Sequence, residues 1–238
     1  VETLDELKKQ VQKKREALPP VVVEKYLRDF AVTYTHESTA MEGNTLSLRE
    51  TALLLVDGVT VGGKNLREIY EVTNHDKAFS CVLSLIHDGR SLDESIVKDL
   101  HEILMQNIFQ GGAYRVHNVR ITGATHRPPE PYKMREEIKF FFADLPGKRK
   151  LHPVDCAAWV HAEFVRIHPF ADGNGRTARL IMNYELMAGG FLPISISTEE
   201  REAYYTALDQ YATSGDIKSF TDMVARLERE RLLDFLTI

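Results

Sequence analysis

Cysteine and tryptophan are scarce in this chain, with two and one among 238 residues. Cys81 and Cys156 are far apart and each lies in an apolar, helix-like run, which argues against a disulfide framework and for buried free thiols. No run approaches the roughly eighteen apolar residues that a membrane span needs. Basic residues are not in excess: 30 Lys and Arg face 35 Asp and Glu, for a net charge of −5. Neither nucleic acid nor a membrane is therefore an expected partner. The first residues are charged and hold no apolar signal core, so a cytoplasmic setting is the default expectation. Strand-type alternation is rare, and internal repeats and low-complexity tracts are missing. What is present is 43% hydrophobic and 27% charged, enough for one sizeable core.

Helical periodicity fills most of the chain. Leu4, Leu7, Val11 and Leu18 share one stripe of a charged helix over residues 3–18, which Pro19-Pro20 end. A second helical segment over 21–37 runs into Ser38-Thr39-Ala40-Met41-Glu42-Gly43-Asn44, where Gly43 and Asn44 suit a left-handed C-terminus. The capping-box patterns Ser47-Leu48-Arg49-Glu50 and Ser91-Leu92-Asp93-Glu94 predict helices ending near Gly58 and Phe109, with a long helix over 65–87 between them. Further helices are expected over 131–144, over 153–167, up to about Ala188, from Ser197 to Thr213, and over 216–236.

The stretch 111–131 differs. Tyr114-Arg115-Val116-His117-Asn118-Val119-Arg120-Ile121 alternates and is rich in β-formers, Thr122-Gly123 can turn, and Pro128-Pro129 cannot be helical. The expected fold is all-α with a small β-hairpin at about 113–127. Residues 1–20 form an N-terminal helix that packs on its own domain or supports a homodimer, and 21–238 form a single domain.

Twelve residues carry most of the chemistry: His168-Pro169-Phe170-Ala171-Asp172-Gly173-Asn174-Gly175-Arg176-Thr177-Ala178-Arg179. His168 is the side-chain type that takes a proton near neutrality. Gly173-Asn174-Gly175 permits a turn whose amides converge on an anion, and the helix that starts there adds its free N–H groups. Arg176 and Arg179, three apart, project from one face as guanidinium forks suited to phosphate. Asp172 supplies a hard oxygen suited to Mg²⁺ bridging two phosphates. Singly, each feature reads as a core histidine, an ordinary turn or a solvated helix face; together they outline a polyphosphate site beside a base. The Gly-Lys-Ser/Thr ending of a Walker-type loop is absent.

This segment resembles the signature of the Fic (Fido-fold) family, His-Pro-Phe-x-Asp/Glu-Gly-Asn-Gly-Arg-x-x-Arg, and matches it at every fixed position from His168 to Arg179. The likeness runs over roughly residues 30–220. It implies transfer of AMP from ATP to a hydroxyl of a target protein, with release of pyrophosphate. In that scheme His168 deprotonates the hydroxyl and Asp172 holds Mg²⁺. Gly173, Asn174 and Gly175 cradle phosphate oxygens, and Arg176 and Arg179 grip the terminal phosphates. Ile121, Thr122 and Gly123 belong to a flap on which the target's backbone docks by strand addition. Tyr205 lines the adenine pocket, and Tyr204 is expected to pack.

Ser38 through Gly43 resembles the family's inhibitory pattern, Ser/Thr-x-x-x-Glu-Gly/Asn, within a segment expected at 38–44. A Glu42 carboxylate paired with Arg179 occupies the guanidinium that the γ-phosphate needs, a bias of ~1–3 kcal/mol against ATP. The same resemblance leaves open removal of AMP from a modified target, automodification, and a nucleotide-responsive binding module without turnover, though a module needs no base at His168. The Tyr211-Ala212-Thr213 region lacks the Asn that some relatives set against adenine, which leaves base selectivity open.

Overall fold

A computed structural model describes residues 2–121 and 123–238. Its regular elements are α1 (Leu4–Ala17), α2 (Pro20–Ala40), α3 (Leu48–Leu55), α4 (Leu66–His87), α5 (Glu94–Met105), α6 (Pro131–Lys148), α7 (Pro153–Ile167), α8 (Asn174–Ala188), a 3-10 turn (Thr198–Glu200), α9 (Arg201–Ser214) and α10 (Lys218–Phe235). Local chemistry sets most of these boundaries. Thr3 with Glu6 and Ser47 with Glu50 form complete capping boxes, and proline occupies the first turn of α2, α6 and α7.

Several boundaries differ from the sequence expectation. The cap of α5 is Asp93, whose carboxylate accepts the Ile96 N–H at 2.9 Å, and not Ser91. Leu92, just before that cap, is buried in the same cluster as Val97, the staple arrangement that fixes a later helix start. The helix also stops at Met105 instead of Phe109, and Asn107 turns the chain with φ +61°. Ser197 caps only the 3-10 turn, accepting the Glu199 N–H, and α9 starts at Arg201.

The core lies in two halves on either side of the α7–α8 pair. α7 gives Val160 and Phe164 to one half and Ala157 and Ala158 to the other; α8 gives Leu180, Ile181 and Tyr184 to the first and Met182 and Leu186 to the second. α8 is thus enclosed along nearly its whole length, and its polar side chains must find partners inside. Asn183 exchanges two hydrogen bonds with the Ile194 backbone, at 2.8 and 2.9 Å, and Glu185 pairs with Arg149 at 2.6 Å. α1 lies against α10, with Leu7 and Val11 buried in the second half and Lys14 Nζ donating to the Leu236 carbonyl at 2.7 Å. Cys81 and Cys156 are free thiols. No described helix is long and apolar enough to cross a membrane.

The expected β-hairpin is not formed among the described residues: 113–121 and 123–127 follow an irregular path without strand pairing. Side chains hold this segment instead of a ladder. Buried Arg115 donates Nη1 to the His117 carbonyl at 3.0 Å and Nη2 to the Pro129 carbonyl at 2.5 Å. Asp209, on α9, accepts the backbone N–H groups of Thr125 and His126, both at 2.9 Å. An isolated hairpin with no third strand is marginal in water, and these groups are already satisfied elsewhere.

Candidate active site

α7 ends at His168, which takes the left-handed conformation, φ +52° and ψ +59°, rare for a residue with a side chain. Its N–H still closes the helix on the Phe164 carbonyl at 2.9 Å. The ring lies in a cleft of about 1010 Å³, with Nδ1 3.2 Å from the Val165 carbonyl. A carbonyl can only accept, so Nδ1 carries the ring proton and Nε2 keeps its lone pair. Burial pulls the His168 pKa down to about 4, so the ring is neutral at neutral pH.

The loop after His168 is closed by Asn174, whose side chain accepts the Phe170 N–H and donates to the Phe170 carbonyl, both at 2.9 Å. Its side chain is thereby turned into the loop and buried, and its backbone N–H is the group that faces a ligand. Phe170 stacks on His101, with ring centroids 3.5 Å apart. His101 Nδ1 accepts the Gly112 N–H at 2.9 Å, so its Nε2 donates to the Asp172 carbonyl at 2.9 Å. Gly173 turns the chain at φ +76°, where an added methyl group would meet the Met105 sulfur and the His101 ring. α8 starts directly after it and presents its first amides to the cleft.

The two arginines stand behind this turn, both almost wholly buried. Arg176 Nη2 lies 3.5 Å from Asp172 and Nη1 lies 3.9 Å from Glu71, ion-pair distances too long for hydrogen bonds. Its Nε and Nη1 have no hydrogen-bond partner, an arrangement that calls for an acceptor from outside. Arg179 is saturated by comparison. It donates to Ser38 Oγ at 2.9 Å, to the Ser38 carbonyl at 2.8 Å, to Tyr204 Oη at 3.2 Å and to Glu42 Oε1 at 2.7 Å. Burial opposes its charge, but Tyr204 and Glu42 outweigh burial and hold its pKa above the usual arginine range.

Glu42 reaches this position because α2 runs through Ser38 to Ala40, and the turn after it is completed by Gly43 at φ +99°. Its carboxylate sits against Gly175, where a side chain would run into Oε1. Tyr204 does more than pack: its hydroxyl bridges Arg179 and the buried His161, 3.0 Å away. Tyr205 lines the cleft, about a third exposed, with its hydroxyl donating to the Met41 carbonyl at 3.3 Å. Ile121 and Gly123 border the same cleft, and Thr122 lies outside the described residues.

Asp172 stands at the cleft rim. Burial pushes its carboxyl up, but Arg176, the Gly173 N–H and Arg67 outweigh burial and hold it below the usual carboxylate range. Nowhere among the described residues do three His, Cys, Asp or Glu side chains converge as a metal cage. One hard carboxylate facing the cleft suits a cation shared with substrate oxygens, the manner in which Mg²⁺ is usually held.

Sequence reasoning brings His168, Asp172, Gly173, Asn174, Gly175 and Glu42 to one cleft, with Arg176, Arg179 and Ser38 directly behind it. It misses Arg115, Arg67, Glu71, His101 and His161. The two histidines carry a weak signal, single polar residues within apolar helical runs; Arg67 and Glu71 carry only an i,i+4 charge pair that reads as a solvated helix face, and Arg115 carries none, because its partners His168 and Pro129 lie far away in sequence.

Known proteins resemble this chain in sequence and in fold. The Fic/DOC family pattern matches residues 91–186. Protein adenylyltransferase Fic of Nematostella vectensis is 37% identical over 204 residues, which cover 84% of this chain and 47% of that protein. Protein adenylyltransferase fic-1 of Caenorhabditis elegans is 34% identical over 84% of this chain and 40% of its own length. The chain thus spans less than half of the curated relatives it matches. A Fic domain containing signaling protein from Bacteroides thetaiotaomicron superimposes with a TM-score of 0.85 at 26% identity, covering 95% of this chain and 94% of that one. With the motif complete, the helical core in place and the likeness to solved Fic proteins running nearly end to end, the chain belongs to the Fic/DOC family.

Proposed function

We propose that this domain transfers AMP from ATP to a hydroxyl side chain of a target protein and that Glu42 holds the reaction in check. The observation that carries the reading is a neutral His168 with a free Nε2 lone pair, facing the same cleft as the amides of α8 and backed by two buried guanidinium groups. The reaction needs a base for the hydroxyl and positive groups for a leaving polyphosphate. His168 Nε2 takes the proton of the target hydroxyl as its oxygen bonds to the α-phosphorus. The bond from that phosphorus to the oxygen bridging the β-phosphate breaks, and pyrophosphate departs.

Asn174 and Gly175 hold phosphate oxygens through backbone N–H groups, since the Asn174 side chain is engaged with Phe170 and the Gly173 N–H with Asp172; Gly173 supplies the turn that brings them to the cleft. Arg176 offers its unpaired Nε and Nη1, and Arg179 can do the same once Glu42 leaves. Asp172 is the residue that holds Mg²⁺, which when bound neutralises phosphate charge. Tyr205 flanks the adenine, and the target's backbone docks along Ile121 to Gly123.

The test compares wild type with Glu42→Gly. Each is incubated with ATP, Mg²⁺ and a cell lysate, and proteins are followed by mass spectrometry for AMP addition. The variant is expected to modify a discrete target or itself 5–150 times faster, the usual range of such a coupling. His168→Ala in the same background is expected to abolish transfer while keeping ATP binding. Equal rates for wild type and Glu42→Gly sink the inhibitory role, and transfer that survives His168→Ala sinks the base. Loss of AMP from a premodified target, without net transfer, points to the reverse direction.

A further inference from the structure

Across the cleft rim from Glu42, four charged side chains form a ring. Arg67, in the first turn of α4, places Nε 3.0 Å from Glu71 Oε1 and Nη2 2.6 Å from Asp172 Oδ2. Arg176 faces both carboxylates from the other side, 3.5 Å from Asp172 Oδ1 and 3.9 Å from Glu71 Oε1. Glu71 Oε2 accepts from the Asn44 side chain at 3.0 Å. The two positive and two negative charges balance. The proposed reaction assigns no work to Arg67.

We propose that Arg67 is the resident counter-cation of Asp172: it occupies the carboxylate oxygen that a divalent cation needs, and its displacement sets the affinity for that cation. The inference rests on the reading of Asp172 as the carboxylate that holds the metal. Three features carry it. First, Arg67 and a metal ion compete for one oxygen. A cation coordinated at about 2.1 Å from Oδ2 cannot coexist with a guanidinium hydrogen-bonded to it.

Second, Arg67 is the guanidinium able to move. Its side chain is 57% exposed, against 2% for Arg176, and its Nε bond to Glu71 remains when Nη2 lets go. It leaves Asp172 without becoming unpaired. Third, Asp172 keeps its place during the exchange, because Oδ1 accepts the Gly173 N–H at 2.6 Å and the residue's carbonyl is held by His101. The cation therefore meets a carboxylate already aimed.

The test reads metal binding, not turnover. Mn²⁺ is titrated into the full chain carrying Glu42→Gly, with a non-hydrolysable ATP analogue present, and free Mn²⁺ is followed by electron paramagnetic resonance. Arg67→Met is expected to tighten Mn²⁺ binding about two- to fivefold, the worth of an exposed ion pair, without tightening the analogue in the absence of metal. Arg67→Lys, which keeps the charge but loses the fork that bridges both carboxylates, is expected to fall between parent and Arg67→Met. Asp172→Asn is expected to lose Mn²⁺ binding whatever stands at position 67. Unchanged or weaker Mn²⁺ binding in Arg67→Met, with Asp172→Asn still deficient, overturns the role of Arg67 alone. Full Mn²⁺ binding by Asp172→Asn overturns the metal reading of Asp172 itself.

Discussion

His168 combines two properties that the sequence does not display. The motif marks it as the proton acceptor, but its ring proton is fixed on Nδ1 by one carbonyl, and its pKa of about 4 comes from burial. A base with a depressed pKa fails only when acid protonates it, so activity falls as pH drops through the folded value. In Glu42→Gly protein, kcat/KM is expected to stay level from pH 8 down to 6 and to decline well below the ordinary histidine value of ~6.5. An acidic limb centred at or above that value contradicts the neutral-ring assignment. Glu42→Gln separates charge from size, since the amide fills the same space without a negative charge. ATP binding by calorimetry is expected to lie between wild type and Glu42→Gly; equality with wild type would mean that bulk alone does the blocking. The Glu42–Arg179 contact was legible because the motif names both ends. The Ser38 carbonyl and the Tyr204–His161 bridge were not, because a carbonyl has no residue signature and a tyrosine in a helix looks like packing.

Elements were legible where capping chemistry is local. Thr3, Ser47 and the first-turn prolines mark helix starts that a reader can find, whereas Asp93 prevails over Ser91 because Leu92 and Val97 are buried together, a tertiary fact. The expected hairpin differs from the structure for the same reason. Alternation records a preference for extended backbone but not whether a partner strand exists, and here Arg115 and Asp209 replace the ladder. Arg115 also donates Nε to the His168 carbonyl at 2.7 Å, so one side chain ties the segment to the motif loop. Arg115→Met strips a donor from three carbonyls and is expected to cost about 2–4 kcal/mol of stability, read by urea denaturation. Asp209→Ala, which frees only the Thr125 and His126 amides, is expected to leave global stability near wild type. Hydrogen exchange should then quicken at those two amides, and an unchanged rate there would show that Asp209 does not hold the segment.

Across the whole molecule, buried ionisable groups pull stability in opposite directions with pH. Burial holds the pKa values of His75, His161 and His168 below the ordinary histidine value, so the unfolded chain binds more protons in acid and stability falls as pH drops below ~6.5. Glu228 acts oppositely. It projects from α10, wholly buried, and accepts the Leu192 N–H at 3.0 Å; burial raises its pKa to about 8. The folded state keeps that proton where the unfolded state has lost it, so stability declines as pH rises from the ordinary glutamate value toward 8. Glu228→Gln keeps an acceptor for Leu192 and removes the titration. It is expected to be more stable than wild type at pH 8 by about 2–4 kcal/mol and to flatten the alkaline fall of Tm. A wild-type Tm that is flat between about pH 7 and 8, above the range where the histidines oppose it, would rule this out. Apolar spacing marks the helices and one sizeable core, but neither the division of that core about α7 and α8 nor a buried acid at position 228 shows in the sequence, because both depend on how distant helices pack.

Gly175 has a consequence for anyone altering this protein. The Glu42 carboxylate rests where a side chain at 175 would stand, and the same volume lies at the mouth of the α8 amides. A substituent large enough to evict Glu42 would itself fill the room that a phosphate requires. Position 175 is therefore a poor dial: changes there move brake and engine together, while position 42, on the far wall, can be tuned with the engine left alone.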